Sequence, residues 1–447
     1  MIHRPLIHRK THSIMKSLAY NISALTLLLT TGHGAADIIY SGFQNITIPT
    51  TYAGTYIDVD GMSSSSSPTA GWDFNPFMGG VYLYNNSTFQ PARTGTGGLD
   101  TVLDLAAGTA INSSASGLHF ASSGTGGSLD QLGSSSAALP SFAANHEGYL
   151  GFKLNGNYGW MRVVFTNNSA GAKVLDWAYD TSGSAGTTAT GNIQSNGTTV
   201  TLDSSLGSYT LSAASPSIAG SNNLVKNGAG TVTLAGAHSY SGTTTVSVGS
   251  LLVNGSLSGS GTVTVAAGAT LGGSGSIAGP VVVNGSIAAG ATSGAAIGSL
   301  STGALTLNNG STFAYEMNSA AGSSVAADFL KVFGNLTLNG TVNLDLTNLA
   351  AATDAFAVGT TLALINYTGT LDGGFFYANH LVADHSLVTV GHNTWQINYG
   401  ATSGGLNFAS DYTPGNFVTL TAVPEPGSWI VLGCLVGSGF ILRRRNR

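Results

Sequence analysis

Apolar and polar residues alternate in short runs along most of the chain, and Gly or Asn-Gly separates the runs. Alternation with a period of two is typical of half-buried β-strands. No convincing amphipathic helix pattern occurs between residues 37 and 420. The most regular runs are Thr231–Leu234, Thr262–Val265, Leu305–Leu307, Leu336–Leu338 and Val342–Leu346. The pattern therefore predicts an all-β protein.

Asn-Gly dipeptides supply the turns that need a positive φ. They occur at 227–228, 254–255, 284–285, 309–310 and 339–340, a spacing of 27, 30, 25 and 30 residues. This near-regular period predicts stacked coils, each adding a layer of about 4.8 Å. We predict a right-handed parallel β-solenoid over 223–420, with about seven coils between 221 and 400. An antiparallel sandwich of hairpins is the alternative for 256–420, because Asn-Gly also suits hairpin turns.

The region 37–185 has a different texture, because aromatic residues concentrate there. Its apolar runs include Tyr56–Val59, Tyr149–Leu154 and Trp160–Phe165. Aromatic-rich strands between Gly/Ser loops predict an antiparallel β-sandwich of jelly-roll type. The stretch 186–222 is rich in Ser, Thr and Gly, and we predict that it connects the sandwich to the solenoid.

The N-terminal 36 residues have the features of a secretory signal peptide. A basic start precedes a mostly apolar run over 18–29, and the small residues Gly34 and Ala36 follow. This order predicts cleavage between Ala36 and Asp37. Met15 is an alternative start of the chain. We therefore expect export through the Sec translocon.

The C-terminal 25 residues contain three parts in order: the motif Val423, Pro424, Glu425 and Pro426, an apolar run containing Trp429 and ending at Leu442, and the cluster Arg443, Arg444 and Arg445. The apolar run from 427 to 442 is just short of the usual span of about 17–25 residues for a membrane helix. The aromatic residue suits one membrane interface, and the arginines suit the cytoplasmic side. The two prolines keep the motif extended and accessible.

These residues resemble the PEP-CTERM sorting signal of Gram-negative bacteria over 423–447. The resemblance implies a C-terminal transmembrane helix and recognition by an exosortase-type membrane enzyme that processes the tail. It also implies transit through the inner membrane to the cell surface or extracellular matrix, where PEP-CTERM proteins are associated with exopolysaccharide.

A second resemblance lies within the predicted solenoid. The segments Lys226-Asn-Gly-Ala-Gly230, Tyr240-Ser-Gly-Thr-Thr244 and Gly249-Ser-Leu-Leu-Val253 are similar to the autotransporter-associated β-strand repeat. The resemblance covers 223–255 and implies a β-helical fold. His238 departs from the pattern, because the family usually has Asn there.

Charge limits the functions that the chain can carry. Only 7% of the residues are charged, and eight of the 14 Lys and Arg residues lie in the first 16 and last five positions. The region between has six Lys or Arg residues against all 19 acidic residues, a net charge of −13. Such a body argues against nucleic-acid binding. Cys434 is the single cysteine, which excludes an intrachain disulfide and a Cys-based zinc site.

Asp58 and Asp60 are candidate calcium ligands, because they share one strand face before Gly61. They do not complete an EF-hand loop, and we expect a solvated strand edge, no resident metal and no cofactor. A second titratable cluster contains His380, Asp384, His385 and His392. Strand alternation would scatter these side chains over both faces, so we expect a solvated surface.

Three tryptophans are candidates for stacking on sugars: Trp72, Trp160 and Trp177. The alternative is that they fill the sandwich core. Asp176 and Asp180 flank Trp177 and could form the carboxylate pair of a glycosidase. We find no other catalytic motif and expect no catalytic residue. We therefore expect a non-enzymatic surface or matrix protein. A carbohydrate-binding protein on a β-helical stalk is the alternative, and a polysaccharide-acting hydrolase is the third hypothesis.

Overall fold

The described part of the chain consists of β-strands joined by turns and loops, many of them glycine-rich. The computed structural model describes residues 36–96, 101–115, 117–121, 130–131, 142–182, 188–290, 297–320, 327–350 and 355–424. Within these residues there is no α-helix, and Met78–Gly80 and Ala409–Asp411 each form a short 3₁₀ turn. The all-β prediction is confirmed.

Fifteen strands form the N-terminal region. They are β1 (Ala36–Tyr40), β2 (Ile46–Thr47), β3 (Tyr56–Asp58), β4 (Ser63–Ser65), β5 (Phe74–Phe77), β6 (Tyr82–Asn85), β7 (Phe89–Arg93), β8 (Asp104–Leu105), β9 (Ala110–Ile111), β10 (His119–Phe120), β11 (Asp130–Gln131), β12 (Glu147–Leu154), β13 (Asn157–Val164), β14 (Lys173–Asp180) and β15 (Thr188–Ala189).

These strands build two main antiparallel sheets. One has the order β10-β7-β12-β13-β14-β1, and the other has the order β11-β6-β5-β3-β4. A shared apolar core contains Ile57 and Phe74 from the second sheet and Phe152 and Trp177 from the first. The prediction of a jelly-roll connection between them stays a prediction.

The remaining strands form the solenoid and its C-terminal end. They are β16 (Ile193–Ser195), β17 (Thr199–Asp203), β18 (Tyr209–Leu211), β19 (Asn223–Asn227), β20 (Thr231–Leu234), β21 (Ala237–His238), β22 (Thr244–Val246), β23 (Ser250–Val253), β24 (Ser256–Leu257), β25 (Val263–Val265), β26 (Thr270–Gly272), β27 (Ser276–Ile277), β28 (Val281–Val283), β29 (Ser286–Ala288), β30 (Ser299–Thr302), β31 (Leu305–Leu307), β32 (Thr312–Met317), β33 (Phe329–Val332), β34 (Leu336–Leu338), β35 (Val342–Asn348), β36 (Thr361–Tyr367), β37 (Leu371–Asp372), β38 (Phe375–Tyr377), β39 (His380–Leu381), β40 (Leu387–Val390), β41 (Asn393–Ala401) and β42 (Asn416–Val423).

The coils stack into three parallel sheets, which we call sides 1, 2 and 3; the first and last coils contribute strands to sides 1 and 2, and the six coils between them to all three. Side 1 stacks β17, β19, β22, β25, β28, β31, β34 and β37. Side 2 stacks β18, β20, β23, β26, β29, β32, β35 and β38. Side 3 stacks β21, β24, β27, β30, β33 and β36. Parallel pairing confirms a solenoid, and the hairpin alternative is wrong for these coils.

The interior of the solenoid is lined by the alternate residues that the sequence pattern marks as apolar. Strand β25 shows the rule, since Val263 and Val265 are buried and Thr264 between them is half-exposed. The apolar core runs from Ala36 to Ala422. At about 25 cal/mol per Å² of apolar area, this continuous burial is the main stabilising term of the fold.

Two predictions about the coils need correction. Asn254–Gly255 follows a side-2 strand, whereas the other four Asn-Gly pairs follow side-1 strands, so their spacing does not equal the coil length. The predicted count of about seven agrees with the seven side-1 strands from β19 to β37. The stretch predicted as a connection already contains β17 and β18, which form the first coil.

Strands that do not belong to the coils close both ends of the stack. At the N-terminal end β16 pairs antiparallel with β17, and β1 pairs in parallel with β18, so the N-terminal sheet continues directly into side 2. At the other end β38 turns back into β39, and β42 pairs antiparallel with β36 and β41. The ends of the solenoid therefore do not present long unpaired strands.

Candidate functional site

Three carboxylates converge at one edge of the N-terminal region. Asp58 ends β3, Asp60 lies in the following turn, and Asp73 immediately precedes β5. One oxygen from each side chain lies within 4.8 Å of the others. The pairing of Ile57 with Phe74 brings the two strands together and so places Asp73 beside the two acids that the sequence singled out.

Main-chain donors hold this cluster in place. The amide of Val59 donates to Asp73 Oδ2 at 2.9 Å, and the amide of Gly61 donates to Asp58 Oδ1 at 2.6 Å. The indole of Trp177 donates to the carbonyl of Val59 at 3.0 Å, which ties the turn to the central sheet. The three carboxylates therefore occupy defined positions.

The cluster carries uncompensated negative charge among the described residues. Burial raises the pKa of Asp58, and the neighbouring Asp60 adds to the rise. Burial likewise raises the pKa of Asp73, with further contributions from Asp60 and Asp58. No ion pair between described residues includes these three acids.

This arrangement can supply three oxygen ligands to a hard divalent cation such as Ca²⁺. Of the three acids, the sequence identified Asp58 and Asp60 but missed Asp73. Thirteen residues separate Asp60 from Asp73, and only the pairing of β3 with β5 reveals that they meet. A carboxylate cluster is common on protein surfaces, so its geometry alone assigns no function.

Asp176, the first member of the carboxylate pair considered for a hydrolase, lies in a buried ion pair. Arg162 donates to its two oxygens at 2.9 and 2.7 Å, and the Tyr40 hydroxyl donates to it at 2.8 Å. Burial raises the pKa of Asp176, while the guanidinium opposes the rise. Asp176 is fully buried, so it is not presented to a polysaccharide.

The tryptophans divide into two groups. Trp160 and Trp177 are fully buried, and their indole N–H groups donate to Asn192 Oδ1 and to the carbonyl of Val59. They therefore cannot stack on a sugar, and this correction follows from the central sheet being covered on both faces. Trp72 is half-buried, with its ring edge-on to Tyr56 at 5.3 Å.

The histidine-rich segment near the C-terminus remains a surface feature. His385 Nδ1 lies 3.0 Å from Asp384 Oδ2, and both side chains are at least half exposed. His380 Nδ1 contacts the carbonyl of Ala378 at 2.8 Å. Within the described ranges these groups and His392 do not form a set of three potential ligands at coordinating distance.

Only part of the predicted processing signals falls on described residues. Ala36 and Asp37 begin β1, and Val423 ends β42 directly before Pro424. The other predicted sorting and anchor residues lie outside the described residues: Glu425, Pro426, Trp429, Leu442, Arg443, Arg444 and Arg445. No helix within the described part is long and apolar enough to cross a membrane.

The repeat-like segment has a clear structural role. Lys226 points into the solenoid and donates from Nζ to the carbonyls of Gly228 and Val248 at 2.8 Å each. Burial lowers the pKa of Lys226 to about 8. The Tyr240 hydroxyl bonds Thr244 Oγ1 at 2.6 Å within the interior. These side chains fasten adjacent coils at their corners.

Residues 224–253 match the family model of the passenger-associated transport repeat. The resemblance to an autotransporter-associated repeat is thereby confirmed for this segment. The match extends from β19 to the end of β23, about one and a half coils of the solenoid. A search of curated proteins finds no significant match to the chain.

The repeat and the parallel sheets together indicate a secreted, surface-associated β-helical protein. The motif glycine Gly228 shows why the pattern is needed. Its φ is +79°, and an added Cβ would lie 2.3 Å from the amide nitrogen of Ser205 in the preceding coil. His238, at the position where the repeat usually has Asn, is buried, and its Nδ1 accepts the amide of Ile218 at 3.1 Å.

Proposed function

We propose that this chain is a non-enzymatic structural protein of the bacterial surface or extracellular matrix. The observation that carries the proposal is a parallel solenoid that contains a passenger-associated transport repeat. In this proposal the solenoid acts as a scaffold that holds the N-terminal region. Eight stacked side-1 strands, separated by about 4.8 Å, extend for roughly 34 Å.

The continuous core supports a scaffold role. Strands that do not belong to the coils cover both ends of the stack, and buried apolar residues fill it from Ala36 to Ala422. Such a stack resists unfolding because each coil contacts its neighbours over three sides. The acid considered for hydrolysis, Asp176, instead pairs with Arg162 inside the N-terminal region and accepts the amide of Ser195 in β16 at 3.3 Å.

The outward side chains support a location in a hydrated polysaccharide matrix. The outward column of side 1 contains the uncharged residues Val225, Thr245, Thr264, Val282, Thr306 and Thr337, and its one acidic residue, Asp372, lies at the end of the stack. Threonine and valine side chains present hydroxyl and methyl groups, which suit neutral sugars better than phosphate. We propose exopolysaccharide as the surrounding partner, contacted through extended faces and not through buried tryptophans.

We further propose that the chain is exported by the Sec translocon, loses its signal peptide before Asp37, and is sorted by an exosortase-type membrane enzyme. The end of β42 supports the second site, because the last paired residue, Val423, directly precedes Pro424. Proline has no N–H to donate to a neighbouring strand. A motif that starts where the sheet ends would remain within reach of a processing enzyme.

The test is the intact mass of the protein from its native cells, measured separately for membrane and medium. We expect loss of mass at both ends, before Asp37 and near Pro424. A full-length C-terminus confined to the inner-membrane fraction would contradict sorting and leave a plain membrane anchor. A protein recovered only from the cytoplasm would contradict export altogether.

A further inference from the structure

Asp180, at the end of β14, has an incomplete set of partners. It is 3% exposed, and its Oδ1 accepts the amide of Asp37 at 3.1 Å and the amide of Ser182 at 2.8 Å. Its Oδ2 is buried and has no hydrogen-bond partner among the described residues. No ion pair between described residues includes Asp180.

A buried carboxylate in this state is unfavourable. Its charge has lost water, and one of its two oxygens receives no donor in return. The other buried acid of the same strand, Asp176, shows the usual solution, since Arg162 donates to both of its oxygens. Asp180 therefore lacks the cation that its environment requires.

Asp37, whose amide donates to Asp180, is held by several further contacts. The carbonyl of Asp37 accepts the Thr181 amide at 2.9 Å, and its carboxylate lies 3.3 Å from the Thr181 hydroxyl and 3.4 Å from the Ser212 hydroxyl. Strand β1 also pairs with both β14 and β18. The backbone nitrogen of Asp37 is thus held next to the Asp180 carboxylate.

We propose that the buried Asp180 carboxylate is the counter-ion of the mature N-terminus at Asp37. The inference rests on the proposed export and its cleavage site. Hydrolysis of the Ala36–Asp37 peptide bond adds one water, leaves a carboxylate on Ala36, and leaves an amine on Asp37 that takes up a proton. The same nitrogen that now donates one N–H at 3.1 Å then carries a positive charge and three donors.

This pair links processing to the stability of the junction between the N-terminal region and the solenoid. Strand β1 lies between β14 of the first and β18 of the second. Before cleavage, the Asp180 carboxylate accepts hydrogen bonds from neutral main-chain amides. After cleavage, charge-assisted bonds hold the first residue of β1 against β14.

The experiment compares full-length precursors exported from a Gram-negative host. One is unchanged, and the other carries Gly-Ser inserted between Ala36 and Asp37, which moves the free amine about 7 Å along the chain. Each is made with Asp180 intact and as Asp180→Asn, with the exposed Asp372→Asn as matched control. N-terminal sequencing establishes the first residue, and urea unfolding gives the stability.

We expect the insertion to raise the unfolding equilibrium constant by about tenfold or more when Asp180 is present. In the Asp180→Asn background we expect less than about a twofold change, because the partner of the amine is gone. Asp372→Asn should leave the effect of the insertion unchanged. An equal effect of the insertion with and without Asp180 would overturn the pair while leaving export intact.

A second measurement covers the case in which Asp180→Asn does not fold. The α-amine of the unchanged mature protein should react with an acylating reagent at least about tenfold more slowly than that of the insertion variant. Equal rates would overturn the proposal. A mature chain that begins at a residue other than Asp37 would overturn it together with the predicted cleavage site, and sequencing separates that outcome from the first.

Discussion

The solenoid has a narrow part with short coils, from Leu224 to Val281, and a wide part with longer coils, from Val281 to Leu371, and the two parts fill their interiors differently. In the narrow part Leu224 pairs with Thr244, Thr244 with Val263, and Val263 with Val281, which gives coils of 20, 19 and 18 residues. In the wide part Val281 pairs with Leu305, Leu305 with Leu336, and Leu336 with Leu371. The coils there are therefore 24, 31 and 35 residues long.

Longer strands on sides 2 and 3 take up part of the extra residues, and side 3 shows the change most clearly. The strands of side 3 are two residues long in β21, β24 and β27, then four in β30 and β33, and seven in β36. The narrow interior is filled mainly by Val, Leu and Ile, whereas the wide interior contains Phe313, Tyr315 and Phe375. A wider cross-section needs larger side chains to reach the density of a protein interior.

Glycines occupy the corner between sides 3 and 1 in successive coils, and their distance from the previous coil increases towards the wide part. An added Cβ would lie 1.8 Å from the carbonyl oxygen of the previous coil at Gly261, 2.1 Å at Gly279 and 2.6 Å at Gly303. Each of these distances is too short for a side chain, so the backbone of the previous coil excludes one at this corner, most strictly at Gly261. The wide part also contains fully buried side-chain hydrogen bonds, such as those of Asn407.

The largest expected effect is that of Gly261→Ala in the narrow part. Its methyl group would overlap the carbonyl oxygen of Gly242, and neighbouring coils would have to separate. We expect a loss of about 3 kcal/mol or more in the free energy of unfolding, measured in urea.

Gly303→Ala should cost less than Gly261→Ala. The matched control is Gly400→Ala, because an added Cβ there meets nothing within 4 Å. We expect this control to change stability by no more than about 0.5 kcal/mol. Equal stability of the Gly261 and Gly400 variants would show that the narrow corner can open, and the comparison would fail.

Asn407→Ala tests the wide part. The fully buried side chain of Asn407 accepts the amide of Ala363 at 2.8 Å and donates to the carbonyls of Asp328 and Ala363 at 2.8 and 2.9 Å. Alanine would remove these bonds from the interior, and the carbonyl of Ala363 would keep the Tyr315 hydroxyl at 3.0 Å. We expect a loss of about 2–3 kcal/mol in urea unfolding.

Asn254→Ala, at an exposed corner of the narrow part, is the matched control. Its side chain accepts the amide of Ser274 at 3.1 Å, and water can replace it. We expect a loss of less than about 1 kcal/mol. If both variants lost the same amount, the wide coils would not depend specifically on buried side-chain hydrogen bonds.

Buried titratable groups give the two parts opposite pH responses. Burial lowers the pKa of His238, in the narrow part, to about 4. Its contribution to stability is therefore present above the ordinary pKa of 6.5 and is lost as the pH falls through 4. Burial raises the pKa of Asp328, in the wide part, to about 7. Its contribution is present below 3.8 and is lost as the pH rises through 7.

His238→Asn separates these opposing effects. Relative to this variant, the unchanged protein should lose about 2 kcal/mol of unfolding free energy between pH 7 and pH 4.5, because only His238 must take up a proton against its burial. A constant offset between the unchanged protein and His238→Asn across this range would contradict a buried neutral histidine.

Local pattern was sufficient to predict most strands but not the size of the coils. The predicted runs 231–234, 305–307 and 336–338 coincide with β20, β31 and β34, because alternation is a property of each strand alone. Coil length depends on the number of residues in the strands and loops between one side-1 strand and the next, and the spacing of the Asn-Gly pairs does not encode that number. The count of coils was correct although the assumed period was not.

The candidate sites show the same limit. Asp58 and Asp60 were visible as neighbours in sequence, whereas Asp73 joins them only through pairing of β3 with β5. The aromatic residues Trp160 and Trp177 could equally have been exposed, until the central sheet was seen to be covered on both faces. Burial of a strand's second face is a tertiary property, so sequence alternation does not report it.

The smallest expected effect concerns the asparagine ladder on the outside of the wide part. Asn308 donates to Asn284 Oδ1 at 2.8 Å and accepts from Asn339 Nδ2 at 3.1 Å, so one side chain bridges three coils. Water competes for these amides at the surface. We therefore expect Asn308→Ala to cost only about 0.5–1 kcal/mol in urea unfolding.

A double-mutant cycle of Asn284→Ala with Asn308→Ala isolates the ladder from the loss of each side chain. We expect a coupling free energy of about 0.5 kcal/mol, well below the unfolding free energy lost in Asn407→Ala. A coupling as large as that of the buried asparagine would mean that wide coils are held from outside as firmly as from within. The contrast between buried and exposed asparagines therefore decides how the wide coils are stabilised.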